Sequence, residues 1–274
     1  MEKYSVLMSL YAKENPEYLP LAINSMINQT VKPNEIIIVE DGPLTEELSA
    51  IVDKYKSDYP DLFVVVKNAK NLGLGLALNE GIKVANNELI ARMDTDDISK
   101  LDRCEKQLKI FESNAELSIV GSWVDEFNKT PENIISTRTV PETNKEIYKF
   151  AKKRSAFNHP AVMYKKSAVL ANNGYSDLRR NQDVDLFGRM LFNGCKAYNI
   201  SEALLYFRTD INLARRRKSW ENTKSYILTI KRFWKMGYSS FLDYFTVMLA
   251  QILMFLMPAK LQIFIYKKFL RKHS

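Results

Sequence analysis

Cysteine is nearly absent from this chain, and the two that occur, Cys104 and Cys195, lie far apart without Cys-x-x-Cys spacing. That scarcity excludes a disulfide-bonded scaffold and a thiolate zinc site, and it is typical of a reducing compartment. A signal peptide is also missing, because Met1-Glu-Lys-Tyr4 leads directly into a strand-like segment. We therefore expect a cytoplasmic protein.

Long apolar runs, internal repeats and low-complexity segments are lacking as well. The most apolar stretch, Tyr244–Met257, is shorter than the roughly 20 residues that a membrane-spanning helix needs. With 46% hydrophobic and 26% charged residues, the composition excludes disordered, collagen-like and coiled-coil proteins. A length of 274 residues allows one large domain, or one domain with an appendage.

Acidic residues are scarce in the last quarter of the chain. The segment Leu205–Ser274 has 14 basic and three acidic residues, a net charge of +11, whereas the rest of the chain has a net charge of −3. The excess positive charge favours an anionic partner. Among the anionic partners, we predict a membrane surface or a phosphorylated substrate. Nucleic acid is disfavoured, because the basic residues alternate with apolar stretches and do not accompany an aromatic platform.

Apolar β-branched runs alternate with amphipathic helical segments over the first hundred residues. This alternation predicts βαβ units and a parallel sheet, with ligands at the carboxyl ends of the strands. Tyr11, Asp41 and Asp94 each follow a strand and are the first candidates for a site. The predicted strands are 4–10, 35–40, 62–67 and 88–93, and the predicted helices are 18–29, 45–59 and 74–85.

The middle of the chain is less regular. We predict helices at 102–114 and 184–193, strands at 117–121 and 161–164, and two short strands near 196–208. A further helical stretch follows and ends at Met236.

Three carboxylates fall within four positions in Arg92-Met-Asp-Thr-Asp-Asp97. Carboxylates this close repel one another unless a cation lies between them, so the pattern indicates a site for a hard divalent metal that also meets phosphate oxygens. The alternative is an acidic turn in which Asp97 caps a helix.

Asp41-Gly42 ends another strand, where a carboxylate can accept hydrogen bonds from a uracil N–H or a ribose hydroxyl. A simple strand-end turn is the alternative. The later run Asn71-Leu-Gly-Leu-Gly75 is not a dinucleotide fingerprint, because it follows the third strand and lacks the third glycine. A helix N-terminus that faces a phosphate stays open there.

Together with Asn158-His-Pro, Gln182-Asp-Val-Asp185 and Leu205-Tyr-Phe-Arg208, these motifs resemble family 2 glycosyltransferases. The closest resemblance is to bacterial O-antigen and exopolysaccharide enzymes of the amylovoran-biosynthesis type, over about residues 4 to 235. The resemblance implies an α/β fold of the GT-A class with a mainly parallel central sheet. It also implies a catalytic domain at 1–210, with a nucleotide-sugar half at 1–100 and an acceptor half at 101–210. A basic, apolar helical extension at 211–274 follows.

The resemblance assigns roles to the donor-side residues. Asp94-Thr-Asp96 matches the DXD motif, so Asp96 binds Mn²⁺ or Mg²⁺ and Asp94 contacts the ribose or the metal. Asp41 matches the aspartate that contacts uracil. The remaining nucleotide-sugar residues are Ser9, Tyr11, Asn71 and Gly73.

Asp183 matches the catalytic base, although Gln182 precedes it where the family has glutamate. Asp185 is the competing base, since neighbouring helix positions cannot all face one pocket. Gln182 is assigned to the acceptor side. His159 is expected to bind the acceptor or the metal, against a purely structural role.

Arg215 and Arg216 are assigned to a diphosphate, either that of the leaving group or that of the acceptor lipid. A solvated charge run is the alternative. The tail at 261–270, with basic residues around an apolar face, predicts a helix lying on an anionic membrane surface. A helical hairpin packed on the domain, or a homodimer contact, stays open.

The predicted reaction is an inverting, metal-dependent transfer from a UDP-sugar to a polyprenyl-diphosphate-linked saccharide. It would take place on the cytoplasmic face of the inner membrane, during polysaccharide assembly. Galactose in a β1,3 linkage is the predicted transfer, with GlcNAc, GalNAc and glucose as alternative sugars. The competing hypotheses are a nucleotidyl- or sugar-phosphate-modifying enzyme and a membrane-surface binding module.

Overall fold

The computed structural model describes residues 2–209 and 219–257. Its strands are β1 (Tyr4–Leu10), β2 (Glu35–Glu40), β3 (Phe63–Lys67), β4 (Leu89–Arg92), β5 (Ile98–Ser99), β6 (Leu117–Phe127), β7 (Ile134–Arg138), β8 (Met163–Lys165) and β9 (Lys196–Arg208). Its helices are α1 (Leu19–Ile27), α2 (Glu46–Asp58), α3 (Leu74–Val84), α4 (Arg103–Ser113), α5 (Asn144–Ala151), α6 (Lys166–Ala171), α7 (Gln182–Phe192), α8 (Trp220–Lys235) and α9 (Phe241–Leu256). A short 3₁₀ helix covers His159–Ala161.

The nine strands form one sheet, in the order β3-β2-β1-β4-β8-β6-β9-β5, with β7 paired to β6. The first four strands pair in parallel, as predicted from the βαβ pattern. Beyond β4 the directions are mixed, because β8 runs antiparallel to both β4 and β6, whereas β9 runs parallel to β6. The prediction of a mainly parallel sheet is therefore corrected to a mixed sheet.

The direction of β8 depends on its tertiary packing between β4 and β6, which the sequence pattern does not reveal. A short loop joins β6 to β7, and such a loop only allows an antiparallel pair. An apolar run of three or four residues predicts a buried strand but not its direction. The two short strands predicted near 196–208 are also wrong, because one strand with register shifts covers that range.

Hydrophobic residues cover both faces of the sheet. Leu7, Ile37 and Ile90 pack on one face together with α3, α5 and α7. The other face packs against α1, α2 and α4 through residues such as Val6, Ile38 and Leu108. Burial on both faces explains why β1, β2 and β4 are continuous apolar runs.

The first part of the predicted C-terminal extension packs on the domain. Ile230 and Phe233 of α8 join the same cluster as α7, and Phe233 lies against Gly188. The next helix, α9, has Val247 as its single buried residue, whereas Leu242, Leu253 and Leu256 are more than half exposed. No helix in residues 2–209 and 219–257 has the length and apolar character needed to cross a membrane. The predicted boundary at 210, Arg215, Arg216 and the tail at 261–270 lie outside the described residues.

Candidate active site

The carboxyl ends of β1, β2 and β4 meet at one edge of the sheet. The backbone N–H of Asp41 donates to the Leu10 carbonyl at 2.7 Å, and that of Met93 donates to the Leu7 carbonyl at 3.0 Å. These contacts bring Tyr11, Asp41 and Asp94 to the same edge, as the strand pattern predicts.

Asp41 is buried, and its carboxylate organises the loop before α3. One oxygen accepts from the Leu72 N–H at 2.7 Å and from Asn68 Nδ2 at 3.3 Å. The other oxygen accepts from the Gly73 N–H at 2.9 Å. Asn71 Nδ2 donates to the Asp41 carbonyl at 3.1 Å. Asp41, Asn71 and Gly73 thus form one unit, and the strand-end carboxylate holds a loop at the carboxyl edge of the sheet.

Two glycines allow this loop to close on the strand end. Gly42 has a φ of +89°, and a Cβ there would lie 2.7 Å from the Asn71 backbone nitrogen. Gly73, with a φ of +91°, caps the N-terminus of α3. Residues with a side chain rarely adopt a positive φ of this size, so glycine is needed at both positions.

The acidic cluster of Asp94, Asp96 and Asp97 lies directly after β4. One carboxylate oxygen from each residue lies within 4.8 Å of the others. Asp97 precedes strand β5, so the alternative in which it caps a helix is wrong. Burial, followed by the charges of Asp96 and Asp94, raises the pKa of Asp97 well above its usual value.

Arg208, at the end of β9, fixes the turn of the acidic cluster. Its backbone N–H donates to Asp97 Oδ1 at 2.8 Å, and its Nε donates to the Asp96 carbonyl at 2.8 Å. Its guanidinium lies 3.8 Å from the centre of the Tyr18 ring and 4.5 Å from that of Phe127. A cation held between two aromatic faces is a rigid clamp, which orients the acidic turn.

The donor set of the acidic cluster fits a hard divalent cation. All three groups are carboxylates, the ligands that Mg²⁺ and Mn²⁺ prefer. Asp97 Oδ2 is buried without a hydrogen-bond partner. A buried carboxylate oxygen in this state is costly, and a bound cation would offset that cost. Asp94 and Asp96 are half-buried, so they stay accessible to a diphosphate.

Beneath the cluster lies Arg92, the last residue of β4, with 1% of its surface exposed. Its Nη2 forms an ion pair with Asp94. Although burial opposes its charge, the Asp94 carboxylate raises the pKa of Arg92. Its Nε and Nη1 are buried without a hydrogen-bond partner. The site therefore has a permanent buried cation directly under its carboxylates.

Asp183 and Asp185 lie in the first turn of α7 in opposite environments. Asp185 is fully buried, and its oxygens accept from Arg232 Nη1 at 2.5 Å, Arg189 Nε at 2.9 Å and Ser176 Oγ at 2.7 Å. This carboxylate ties α7 to α8 and to the preceding loop.

Asp183 is half-buried, and it has no ion pair with any residue in the described ranges. Burial raises the pKa of Asp183, while hydrogen bonds from the backbone N–H groups of Val184 and Asp183, followed by the charge of Arg92, oppose this rise. A carboxylate with a raised pKa and no salt bridge is suited to accept a proton.

His159 lies in the protein core, where Tyr175 and Phe187 surround its ring. Its Nε2 lies 2.8 Å from the Tyr175 hydroxyl, and its ring packs against those of Tyr175 and Phe187. Burial lowers the pKa of His159 well below its usual value, so the ring is neutral. His159 is not among the residues that form the acidic cluster.

The remaining predicted residues take varied places. Ser9 and Tyr11 are half-buried at the end of β1. Gln182 is buried against Gly75 and has an unpartnered Oε1.

Sequence reasoning missed Arg92 and Arg208 as site residues. The signal for Arg92 was a charged residue inside an otherwise apolar strand, directly before the acidic cluster.

The family model of Glycosyl transferase family 2 matches residues 5–174. The chain is similar to a UDP-Gal:alpha-D-GlcNAc-diphosphoundecaprenol beta-1,3-galactosyltransferase of Escherichia coli, with 35% identity covering 98% of this chain and 97% of the relative. It is also similar to the amylovoran biosynthesis glycosyltransferase AmsE of Erwinia amylovora, with 33% identity covering 97% of this chain and 98% of the relative.

Two solved structures have the same fold. TarS 1–349 of S. aureus superposes with a TM-score of 0.65 at 17% identity, covering 93% of this chain and 72% of TarS 1–349. The mannosyltransferase PcManGT of Pyrobaculum calidifontis, in complex with GDP-Man and Mn²⁺, superposes with a TM-score of 0.65 at 13% identity. That match covers 92% of this chain and 69% of PcManGT. At these identities the likeness concerns the fold alone, which is an α/β fold of the GT-A type.

Proposed function

The chain belongs to glycosyl transferase family 2, and from this premise we propose that it catalyses a metal-dependent, inverting sugar transfer. The donor is a UDP-sugar, and the acceptor is a saccharide linked to a lipid diphosphate. One observation carries the proposal. The carboxylates fall into two separate sets: the acidic cluster, which pairs with the buried Arg92 through Asp94, and Asp183, which has no ion pair in the described ranges.

Asp183 is the proposed general base. Its carboxylate takes the proton of the acceptor hydroxyl while that oxygen bonds to the anomeric carbon of the donor sugar. The bond from that carbon to the diphosphate breaks on the opposite face, so the configuration inverts and UDP leaves. The proposal of Asp183 over the competing Asp185 is supported by the ion pairs that engage both oxygens of Asp185.

Asp96 and Asp94 are the proposed ligands of Mn²⁺ or Mg²⁺, with Asp97 beneath them. When bound, the cation neutralises negative charge on the leaving diphosphate. Arg92 holds Asp94 in place, and Arg208 holds the turn that contains Asp96.

For the nucleotide we propose a site at the ends of β1 and β2, formed by Ser9, Tyr11, Asp41, Asn71 and Gly73. Support comes from the hydrogen bonds that Asp41 makes to the loop 71–73, which present this loop at the edge of the sheet. His159 and Gln182 are proposed for the acceptor side. His159 acts there as a neutral hydrogen-bonding group, and the contact of its Nε2 with the Tyr175 hydroxyl argues against a role as a metal ligand.

Galactose transfer in a β1,3 linkage to a GlcNAc-diphosphate lipid is the proposed reaction. Support comes from the E. coli relative with that activity, which aligns over 98% of this chain. GlcNAc, GalNAc and glucose are the alternative donor sugars. The product would enter O-antigen, capsule or exopolysaccharide assembly.

We place the enzyme at the cytoplasmic face of the inner membrane as a peripheral protein. Apolar side chains that are 40% to 61% exposed follow one another along α9, at Phe241, Phe245, Leu249 and Leu253. This spacing of four residues gives one continuous apolar face, as in helices that lie in the membrane interface. Homodimer formation through the same face is the competing proposal.

A panel of UDP-sugars, tested with Mn²⁺ and a synthetic lipid-diphosphate-linked GlcNAc, tests the proposed function. We expect UDP release and a β1,3-linked disaccharide, identified by NMR, with UDP-galactose as the best donor. Release of inorganic diphosphate in place of UDP would instead indicate a nucleotidyl-transferring enzyme and would overturn the proposal.

A further inference from the structure

An open cleft of about 360 Å³ lies beside α8. This volume is within the range of about 300–1,000 Å³ that small-molecule sites occupy. Two leucines, a threonine and three cationic residues form its wall: Leu178, Leu228, Thr229, Lys231, Arg232 and Lys235. Leu228, Lys231, Arg232 and Lys235 share one face of α8, because they are three or four residues apart. The cleft therefore combines a cationic wall with an apolar one.

The cations of this cleft are largely uncompensated. Neither Lys231 nor Lys235 has an ion pair with any residue of 2–209 or 219–257, and Arg232 gives one N–H to Asp185. Basic residues in the last turn of a helix interact favourably with its dipole, by about 0.3–1 kcal/mol each. That effect explains cations at the end of α8, but it does not explain their position around a cleft with exposed leucine. A ligand that joins an anionic group to a hydrocarbon chain accounts for both the cations and the exposed leucine.

Several contacts attach the cleft to the active site. Leu178 belongs to the segment 176–181, which leads into α7 and the proposed base Asp183. The next residue, Arg179, donates to Asn71 of the nucleotide loop at 3.2 Å. The Arg180 carbonyl accepts from Ser225 Oγ of α8 at 2.6 Å. The cleft thus lies next to the N-terminal end of α7.

We propose that this cleft binds the diphosphate and the first isoprenoid units of the lipid-linked acceptor. Lys231, Lys235 and the remaining N–H groups of Arg232 contact the phosphate oxygens. Leu178 and Leu228 contact the hydrocarbon chain. This assignment rests on the proposed function and adds to it the location of the acceptor lipid.

The covalent structure of such an acceptor favours this occupant over a bilayer phospholipid. Its diphosphate is bonded directly to the sugar that receives the transfer, so the anion must lie within about one sugar length of the base. Leu178, which lines the cleft, lies five residues before Asp183, and its neighbour Arg179 donates to Asn71 at 3.2 Å. A phospholipid headgroup has no such constraint. The donor's diphosphate belongs to the acidic cluster.

The double variant Lys231→Gln/Lys235→Gln tests this proposal with two acceptors. One is GlcNAc on a prenyl diphosphate, and the other is GlcNAc on a neutral alkyl group. We expect the KM for the diphosphate acceptor to rise at least tenfold. The kcat/KM for the neutral acceptor and the KM for the donor should change less than twofold. Arg232 is left intact, because its pair with Asp185 supports the fold.

A matched control removes two exposed lysines from α2, on the opposite face of the sheet, in Lys54→Gln/Lys56→Gln. This control should leave both acceptors unaffected. Equal effects of the α8 variant on both acceptors, or an effect no larger than that of the control, overturn the proposal.

A binding measurement gives a readout without turnover. Calorimetry should show that the wild-type protein binds farnesyl diphosphate more tightly than inorganic diphosphate or farnesol, and that the α8 double variant loses this preference. If the wild-type enzyme transfers no sugar to a lipid-diphosphate acceptor but shows this preference, the proposed function fails and the cleft stands. If the wild-type enzyme transfers the sugar and the double variant keeps the wild-type acceptor KM, the proposed function stands and the assignment of the cleft fails. Loss of binding to phosphatidylglycerol vesicles with an unchanged acceptor KM assigns the cleft to the bilayer and overturns the proposal.

Discussion

Asp183 and Asp185 show how two identical side chains acquire different roles at the residue scale. They are two positions apart on α7, so they face different directions. Asp185 points into the protein and meets two arginines, whereas Asp183 has no ionic partner in the described parts of the chain. The sequence predicted that only one of them reaches the acceptor. It did not predict the pair with Arg232, because that residue comes from α8, whereas Arg189 lies one turn further along α7.

Replacing Asp185 by Asn should destabilise the protein by about 3 kcal/mol, at the lower end of the cost of breaking a buried ion pair, since Arg232 is half-exposed. The Asp183→Asn variant is the matched control, and we expect it to stay within about 1 kcal/mol of wild type. Urea unfolding measures both. If the Asp183 variant is destabilised and the Asp185 variant is not, Asp183 is the structural residue and Asp185 becomes the candidate base.

Asp97 has a pKa raised mainly by burial, so its ionised form is unfavourable in the folded, metal-free protein. The folded state then holds a proton that the unfolded state has released, and stability falls as pH rises between the two pKa values. Asp97→Asn should therefore raise the Tm of the metal-free protein at pH 8, and this gain should shrink as the pH is lowered. Calorimetry in EDTA measures it. A gain that grows toward acid pH would contradict the assigned shift.

At the element scale, most of the strands and helices were predicted from the sequence, but the direction in which some strands pair was not. The runs at β1, β2 and β4 are apolar on both faces, and their prediction is confirmed. The strand β5 has two residues and β7 has an exposed isoleucine at position 135, so neither gave a clear pattern. The direction of β8 depends on tertiary packing between β4 and β6.

The loop between β2 and α2 depends on Gly42, and two glycines with the same conformation allow a matched test. Gly42→Ala and Gly194→Ala both place a Cβ at a φ near +90°, but only the first brings it close to another atom. We expect about 1 kcal/mol of destabilisation for Gly194→Ala, with unchanged UDP affinity. Gly42→Ala should cost about 2–3 kcal/mol and weaken UDP binding, because Asn71 must move. Equal UDP affinities for the two variants would separate this loop from the nucleotide site.

The whole molecule divides into an acidic sheet domain and a basic C-terminal quarter. The helices α8 and α9 pack against one another, and α8 contributes to the core of the domain. Apolar side chains on α9 remain exposed, which supports the proposed contact with a membrane. The uneven charge distribution was predicted from the sequence. Which side chains of α9 remain exposed was not, because that depends on how the hairpin packs.

Replacing Leu249 and Leu253 of α9 by Gln should reduce binding to phosphatidylglycerol vesicles at least tenfold. Burying a leucine contributes about 1.5–3 kcal/mol, so two exposed leucines on one face account for such an effect. The control variant replaces Leu101 and Leu170, which are exposed elsewhere at 58% and 49%. Vesicle sedimentation measures both variants. Unchanged sedimentation of the α9 variant, with a shift from dimer to monomer, would instead favour the homodimer contact.

The central claim is that the acidic cluster and Asp183 perform separate tasks in one reaction, and the Asp183→Asn enzyme tests it most directly. UDP-sugar affinity in the presence of Mn²⁺ and turnover on the lipid-diphosphate acceptor are measured on the same preparation. We predict affinity within twofold of wild type and turnover lowered by about 10²–10⁴-fold, the usual contribution of a general base. Wild-type turnover in this variant would contradict the account.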